Sequence, residues 1–349
     1  MTWDFDFRPD APDQFLSGTR CPDTPRAPQE RRRSPGRQSF DQVSNRRTMH
    51  MDQHIEEFRE NGYTVVRNVF TQDEVGRMTA AADRVRDKVR SSPGSYESRY
   101  TARDETRVDT WGVNHVFDPG LYEDDLAAMF ANPALMRFVH LFLGERLRFW
   151  NAHALWEPQL VNYELNWHRD NGENEHFDST GGSNHVQLDV SLTEQHAFRV
   201  IPGSHRRPLS EPERRQIAVK GIGPLPGEVV VHCGPGDVLY RNHHTVHRGS
   251  CTTDTPRRAL DINLQAYDEP SGPRPSWRFT RDPDYLHSVH PALRELMANT
   301  IEWDEAHPLS RSQIQRRLRS SREISGHIAD GRPHDSGTRP GPRREAEDG

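Results

Sequence analysis

A histidine and an aspartate two residues apart can offer an imidazole nitrogen and a carboxylate oxygen to one metal ion. The chain carries this H-x-D spacing three times, at His50/Asp52, His168/Asp170 and His176/Asp178. With 19 histidines among 349 residues, some such pairs arise by chance, so setting must separate them. His50 lies at the edge of a stretch without periodic apolar residues, where nothing rigid would orient it. His176 and Asp178 lie in "NGENEHFDSTGGSN", a polar, glycine-containing loop. His168 instead closes the alternating stretch "LVNYELNWH". A ligand at a strand end is held more firmly than one on a loop, so His168 and Asp170 are the candidate pair.

Two imidazoles and one carboxylate on one face of an octahedral ion leave three positions open, the arrangement of non-haem Fe(II) oxygenases. For the second imidazole, "PGDVLYRNHHTVHRGS" offers His243, His244 and His247. Strand alternation would put His243 and His247 on one face and His244 on the other. In such enzymes 2-oxoglutarate binds the metal through its keto and C1 carboxylate oxygens, and its far carboxylate needs a cation. Arginine pairs with a carboxylate through two parallel hydrogen bonds. Arg257 and Arg258 open the stretch "RRALDINLQAY" shortly after His247 and are the candidates.

The elements that must carry these residues are legible in outline. "MDQHIEEFRENGYTVVRNVFTQDEV" reads as a helix over Gln53–Asn61, a break at Gly62 and a strand over Tyr63–Val69. A second helix follows Thr71, whose spacing to Glu74 is that of a capping box. "YEDDLAAMFANPALMRFVHLFLGE" carries apolar residues at three- and four-residue spacing and reads as two helices parted at Pro133. From residue 147 the pattern turns to alternation. "LRFWNAHALWE", "LVNYELNWH", "HVQLDVSL", "AFRVIPGS", "GEVVVHCG", "GDVLYRN", "TVHRGSC" and "RRALDINLQAY" are strand candidates separated by turn residues. Short strands after a helical preface predict a mostly β, jelly-roll type of fold with flanking helices.

Composition bounds the rest. Only 32% of residues are hydrophobic against 28% charged, lean for this length, so part of the chain is expected to lie outside any core. The proline-scattered stretch 1–48 and the arginine-rich stretch 309–349 are expected to be disordered, flanking one domain over 49–308. A net charge of −6 gives no reason to expect an obligatory nucleic-acid partner. The absence of a long apolar run argues against a membrane span. Cys21, Cys233 and Cys251 form no C-x-x-C pair, which fits a reducing cytoplasm. The expected partner is a small-molecule substrate, for a monomer or homodimer.

The residues quoted above resemble the phytanoyl-CoA dioxygenase family of Fe(II)/2-oxoglutarate oxygenases over roughly residues 52–268. "FRENGYTVVRNVFTQDEV" looks like the family's opening segment, "NWHRD" like its first ligand stretch and "FRVIPGSH" like its characteristic loop. The resemblance implies a double-stranded β-helix, a cupin-like jelly roll, with His168, Asp170 and His247 as iron ligands. His247 is selected over His243 and His244 by its distance from the glycine of "GD". Aligning "PRRAL" makes Arg257 the 2-oxoglutarate clamp, whereas counting from the histidine favours Arg258. Parity sides with Arg257, which shares a polar or small face with Ala259, Asp261 and Asn263. Asn151 falls where some relatives carry a glutamine that touches the co-substrate.

Three positions depart from the family's pattern. The interval from His247 to the arginine is one residue short, Gly249 stands where serine is usual, and Asp189 stands where an aromatic residue is common. They surround the co-substrate and substrate pockets, so an acyl-CoA substrate is not implied. The implied reaction consumes O2 and 2-oxoglutarate, releases succinate and CO2, and hydroxylates a C–H bond. Related halogenases have a small residue at the position of Asp170, so its carboxylate implies hydroxylation or another oxidative step. The loop "DNGENEHFD" reads first as a solvated loop and second as a lid whose Glu173, Glu175 and Asp178 would suit a cationic or hydroxyl-rich substrate. Two other classes compete. A non-catalytic metal-binding or sensor protein on the same scaffold would show a broken triad or a missing arginine. A zinc hydrolase would leave the arginine and the "IPGSH" loop without a purpose.

Overall fold

The computed structural model describes residues 51–92, 94–102, 107–170, 180–269 and 278–308. The stretches 1–48 and 309–349, His50, and the loop with Glu173, Glu175, His176 and Asp178 lie outside the described residues. Helix α1 (51–61) ends where the Gly62 N–H donates to Phe58 O and Gly62 turns to φ +81°. Strand β1 (Tyr63–Val66) stops short of the expected Val69. Asn68 takes a left-handed φ of 52° and its N–H donates to Asp237 Oδ1, while Arg67 pairs with Asp237 Oδ2 at 2.6 Å. The Asp237 carboxylate thus draws the chain out of the sheet.

Helix α2 (Gln72–Ser91) starts with both halves of the Thr71/Glu74 capping box in place. It buries Val75, Met78, Ala82, Val85 and Val89, a three- and four-residue stripe that faces the core. Strands β2 (Ser98–Ala102) and β3 (Val108–Val113) form an antiparallel pair that the alternation analysis did not find. Helix α3 (Asp124–Ala127) continues into a 3-10 turn over Ala128–Ala131. The expected break at Pro133 is the start of α4 (Pro133–Leu143), where Asn132 Oδ1 caps the Ala134 and Leu135 N–H groups and proline occupies the first turn.

Strands β4 (Leu147–Trp156), β5 (Tyr163–Glu164), β6 (His185–Ser191), β7 (Gln195–Val200), β8 (Val229–Cys233), β9 (Val238–Arg241), β10 (His247–Arg248), β11 (Ser250–Cys251) and β12 (Arg258–Ala266) follow. A short helix, α5 (Glu211–Ala218), lies between β7 and β8, and α6 (Pro283–Ser288) and α7 (Pro291–Ala306) come last. The large sheet runs β1-β9-β6-β12-β4-β3-β2. The opposing face is made of β10-β7-β8 with the β11-β5 pair, and every pairing is antiparallel. From β4 onward the chain passes back and forth between the two faces. That winding is a double-stranded β-helix.

The helices cover the outer face of the large sheet. Leu188, Val190, Tyr240, Leu260 and Ile262 from the strands join Met78, Val85, Leu135, Phe138 and Leu293 from the helices in one buried cluster. α7 is held by Arg148, which donates to Glu269 O at 2.6 Å and lies 3.9 Å from the centroid of the Trp303 ring. No single helix among the described residues is long and apolar enough to cross a membrane. The bent pair of α3 with its following turn and α4 is core, with Leu126, Leu135, Phe138 and Val139 fully buried.

Gly62 couples this frame to the site. Its carbonyl accepts from the Asn242 N–H and from Thr245 Oγ1, both in the turn before His247. A Cβ at Gly62 would land on Thr245 Oγ1 and His205 Nδ1, whereas one at Gly227, also at positive φ, would meet nothing within 4 Å. Gly62→Ala is therefore expected to cost about 1–3 kcal/mol more than Gly227→Ala, the cost of overpacking, since the backbone strain is common to both. Urea unfolding of the two variants measures the difference.

Candidate metal centre

His168 and His247 are far apart in sequence but paired through their backbones. The His168 N–H donates to His247 O at 3.1 Å and the His247 N–H to His168 O at 3.0 Å. Asp170 is fixed next to them by its own N–H, which donates to His243 O at 3.1 Å. One nitrogen from each imidazole and one Asp170 oxygen all lie within 4.8 Å of one another, the single such metal-competent group among the described residues.

The "IPGSH" loop sets this geometry. The Val246 N–H donates to Ser204 Oγ at 2.8 Å, deep inside the protein, and the Ile201 N–H donates to Val246 O. Arg169, between the first two ligands, donates to Ser204 O at 2.6 Å and to Arg207 O at 2.9 Å. Both ligand segments therefore hang on one short loop. Loss of its hydroxyl in Ser204→Ala would leave a buried N–H without a partner. The expected loss is about 1–3 kcal/mol of unfolding free energy, readable by urea denaturation.

The tautomers are set by carbonyls. His168 Nδ1 lies 2.7 Å from Asn166 O, and His247 Nδ1 lies 2.8 Å from Thr245 O. A carbonyl only accepts, so each Nδ1 carries a proton, and in the neutral ring Nε2 is the nitrogen that can bind a metal. Burial pushes the His247 imidazole down to about 3, against the pull of Asp170, so it is neutral at neutral pH. Burial also works against an ionised Asp170. The neighbouring His247 and the Arg241 guanidinium outweigh it and hold the carboxyl well below its usual range. Two imidazoles with Nδ1 engaged and a carboxylate are a donor set that fits a divalent iron.

The third-ligand alternatives part here. The residues from Asn242 to Val246 form a turn, so strand alternation does not govern them and the expected shared face of His243 and His247 does not exist. His243 lines the same cavity but faces the rings of His185 and His244, at centroid distances of 4.7 and 4.0 Å. The structure turns Arg257 into the cavity and Arg258 away from it. Arg258 pairs with Asp83 of α2 and with Glu157. Arg257 donates to Tyr163 Oη, and its Nε is buried without a partner. Burial, with Arg99 adding to it, lowers Arg257 to about 10 even though Asp261 opposes the shift. Asn151 also lines the cavity, and its Oδ1 accepts from Asn263 Nδ2 at 2.7 Å.

Sequence reasoning missed Arg241. Its Nη1 donates to Asp170 Oδ2 at 2.6 Å and to Gln187 Oε1, its Nε to Asp189 Oδ2 at 2.8 Å, and its Nη2 to Asp261 Oδ2 at 3.3 Å. Arg99, Trp111, Asp189, Phe198 and Asp261 share the cavity. The signal was parity. On β6, β9 and β12 the polar residues Gln187, Asp189, Arg241, Asp261 and Asn263 alternate with the apolar residues that face the helices.

A model of the phytanoyl-CoA dioxygenase family matches residues 58–259. The chain belongs to this family. As in other phytanoyl-CoA dioxygenase family proteins, the class of chemistry is that of the iron- and 2-oxoglutarate-dependent oxygenases. The probable alpha-ketoglutarate-dependent hypophosphite dioxygenase of Stutzerimonas stutzeri is 21% identical over 217 residues, which span 58% of this chain and 73% of that protein. Among solved structures, EvdMO1 matches with a TM-score of 0.50 at 20% identity over 62% of this chain and 50% of its own. The non-haem alpha ketoglutarate dependent epimerase SnoN from nogalamycin biosynthesis matches with a TM-score of 0.46 at 19% identity, over 63% of this chain and 82% of its own.

The histidines around the site also set a pH limit. Burial pushes His185 down to about 3 and His205 and His244 to about 4, from an ordinary 6.5. Between pH 6.5 and 4 the unfolded chain binds protons that the folded chain refuses, so stability falls as pH drops through that window. With a chelator present, the urea midpoint is expected to be lower at pH 5 than at pH 7.5. His205→Gln should make the dependence shallower.

Proposed function

We propose that this chain hydroxylates a C–H bond of a small polar molecule, with His168, Asp170 and His247 holding Fe(II) and Arg257 clamping 2-oxoglutarate. One observation carries the reading. Two imidazoles and an ionised carboxylate converge in the cavity that also holds a half-buried arginine, its Nε buried without a partner and no carboxylate in hydrogen-bond contact with its guanidinium among the described residues. A cation whose Nε is buried without a partner favours an anion beside it, and the far carboxylate of 2-oxoglutarate supplies one. When bound, the iron and 2-oxoglutarate activate O2, giving succinate and CO2 and inserting one oxygen atom into the substrate C–H bond.

The chain's own groups do the rest. Arg257 donates to Tyr163 Oη, which leaves the tyrosine proton free to join it on the same carboxylate. Asn151 gives its Oδ1 to Asn263, so its Nδ2 remains as a donor toward the co-substrate. The two carbonyls at Asn166 and Thr245 hold the imidazoles in the tautomer that binds metal. A cavity lined by Arg99, Asp189, Arg241, Asp261 and His243 suits a polar substrate over an acyl chain.

Anaerobic Fe(II) with 2-oxoglutarate is expected to give a weak visible charge-transfer band in the wild type, absent from His168→Ala and Asp170→Ala. Arg257→Met should raise the 2-oxoglutarate concentration needed for the band at least tenfold, and Arg258→Met should leave it unchanged. The proposal fails if the wild type shows no band and releases no succinate with any substrate screened.

A further inference from the structure

We propose that Arg241 is an internal competitor of the metal, so that its guanidinium and the ion contend for one lone pair on His247. The inference rests on the metal-ligand assignment of His168, Asp170 and His247. His247 Nδ1 carries its proton toward Thr245 O, which leaves Nε2 as the single acceptor of the ring. Arginine has no acceptor atom, so in the 3.2 Å contact between Arg241 Nη1 and His247 Nε2 the guanidinium is the donor, through a hydrogen shared with the shorter bonds of Nη1 to Asp170 Oδ2 and Gln187 Oε1. A metal ion bound by His247 needs that same lone pair. The two uses exclude each other.

A spare acceptor stands beside the guanidinium. Asp261 Oδ1 is a buried acceptor with no partner, on the carboxylate whose other oxygen accepts from Arg241 Nη2. A shift of the planar guanidinium away from His247 would bring it toward this free oxygen while keeping it among Asp189 and Asp261. Charge points the same way. Asp170, Asp189 and Asp261 all pair with the one guanidinium of Arg241. Arg99 and Arg257 line the same cavity but form no ion pair with these three among the described residues. Three carboxylates facing one fixed cation favour the entry of a dication, and the guanidinium holds the carboxylates together in the arrangement without it.

This role has a sign that a merely structural one lacks. If Arg241 only oriented Asp170, its removal would weaken metal binding; as a competitor, its removal strengthens it. Co(II), a redox-stable stand-in for Fe(II), is titrated into the full chain by calorimetry and by its visible absorption. Arg241→Met is expected to lower the Co(II) Kd at least tenfold, to lower the Tm of the chelator-treated protein, and to enlarge the rise in Tm on adding Co(II). Should the single variant fail to fold, Arg241→Met with Asp189→Asn removes one buried carboxylate along with the guanidinium. It is compared with Asp189→Asn alone and is expected to show the same tenfold gain. Equal or weaker Co(II) binding in the variant that folds overturns the competition. No Co(II) binding by the wild type, or binding that survives in His247→Ala, overturns the ligand assignment itself and the competition with it.

Discussion

Asp189 on β6 and Asp261 on β12 stand directly opposite each other, a register in which two like charges repel. Burial makes the repulsion worse, and it pushes Asp189 up to about 7 even against the pull of Arg241, with Asp261 adding to the rise. What makes this pairing tolerable is the Arg241 guanidinium, reaching from β9 to both carboxylates and onward to Asp170. One side chain thus spans three strands of the large sheet and the ligand that the opposite wall supplies. A shift of any of those strands by one residue would send its member of the cluster out toward the helices. The register of the sheet and the geometry of the proposed metal ligands are therefore one constraint.

That constraint explains how much was legible beforehand. Period-two alternation in "HVQLDVSL", "GDVLYRN" and "RRALDINLQAY" identified β6, β9 and β12, and the parity of Arg257 with Asp261 placed both on the inner face. The same parity, carried across to Arg241 and Asp189, would have found the rest of the cluster. It was overlooked because a polar residue on a strand is ordinarily read as facing solvent. Here both faces are buried, the apolar one against helices and the polar one around a cavity. Parity failed only where the strand did, at the turn carrying His243 and His244. The β2–β3 pair escaped because its sequence lacks clean alternation and its place is set by β4.

Other features were invisible in principle from local sequence. "IPGSH" reads as a turn, and nothing in it announces that Ser204 will cap the N–H of Val246 or receive Arg169 through its carbonyl. Gly62 reads as a helix stop, which it is, but its lack of a side chain also lets Thr245 and His205 close over it. These are long-range packing demands. They come into view only when the chain is folded, although matching short segments to a known family located the segments themselves.

The backbone bridge between His168 and His247 has a consequence for the order in which the molecule is assembled. His168, in the segment after β5, and His247, which opens β10, lie 79 positions apart in sequence, so their pairing closes a long loop. Contacts of that kind form late, because the entropy of closing the intervening loop is spent before they give anything back. A metal held by the proposed ligands would therefore not seed folding, as zinc does in small fingers whose ligands lie close in sequence. It would come to a barrel already formed, in which Arg241 balances the carboxylates of Asp170, Asp189 and Asp261.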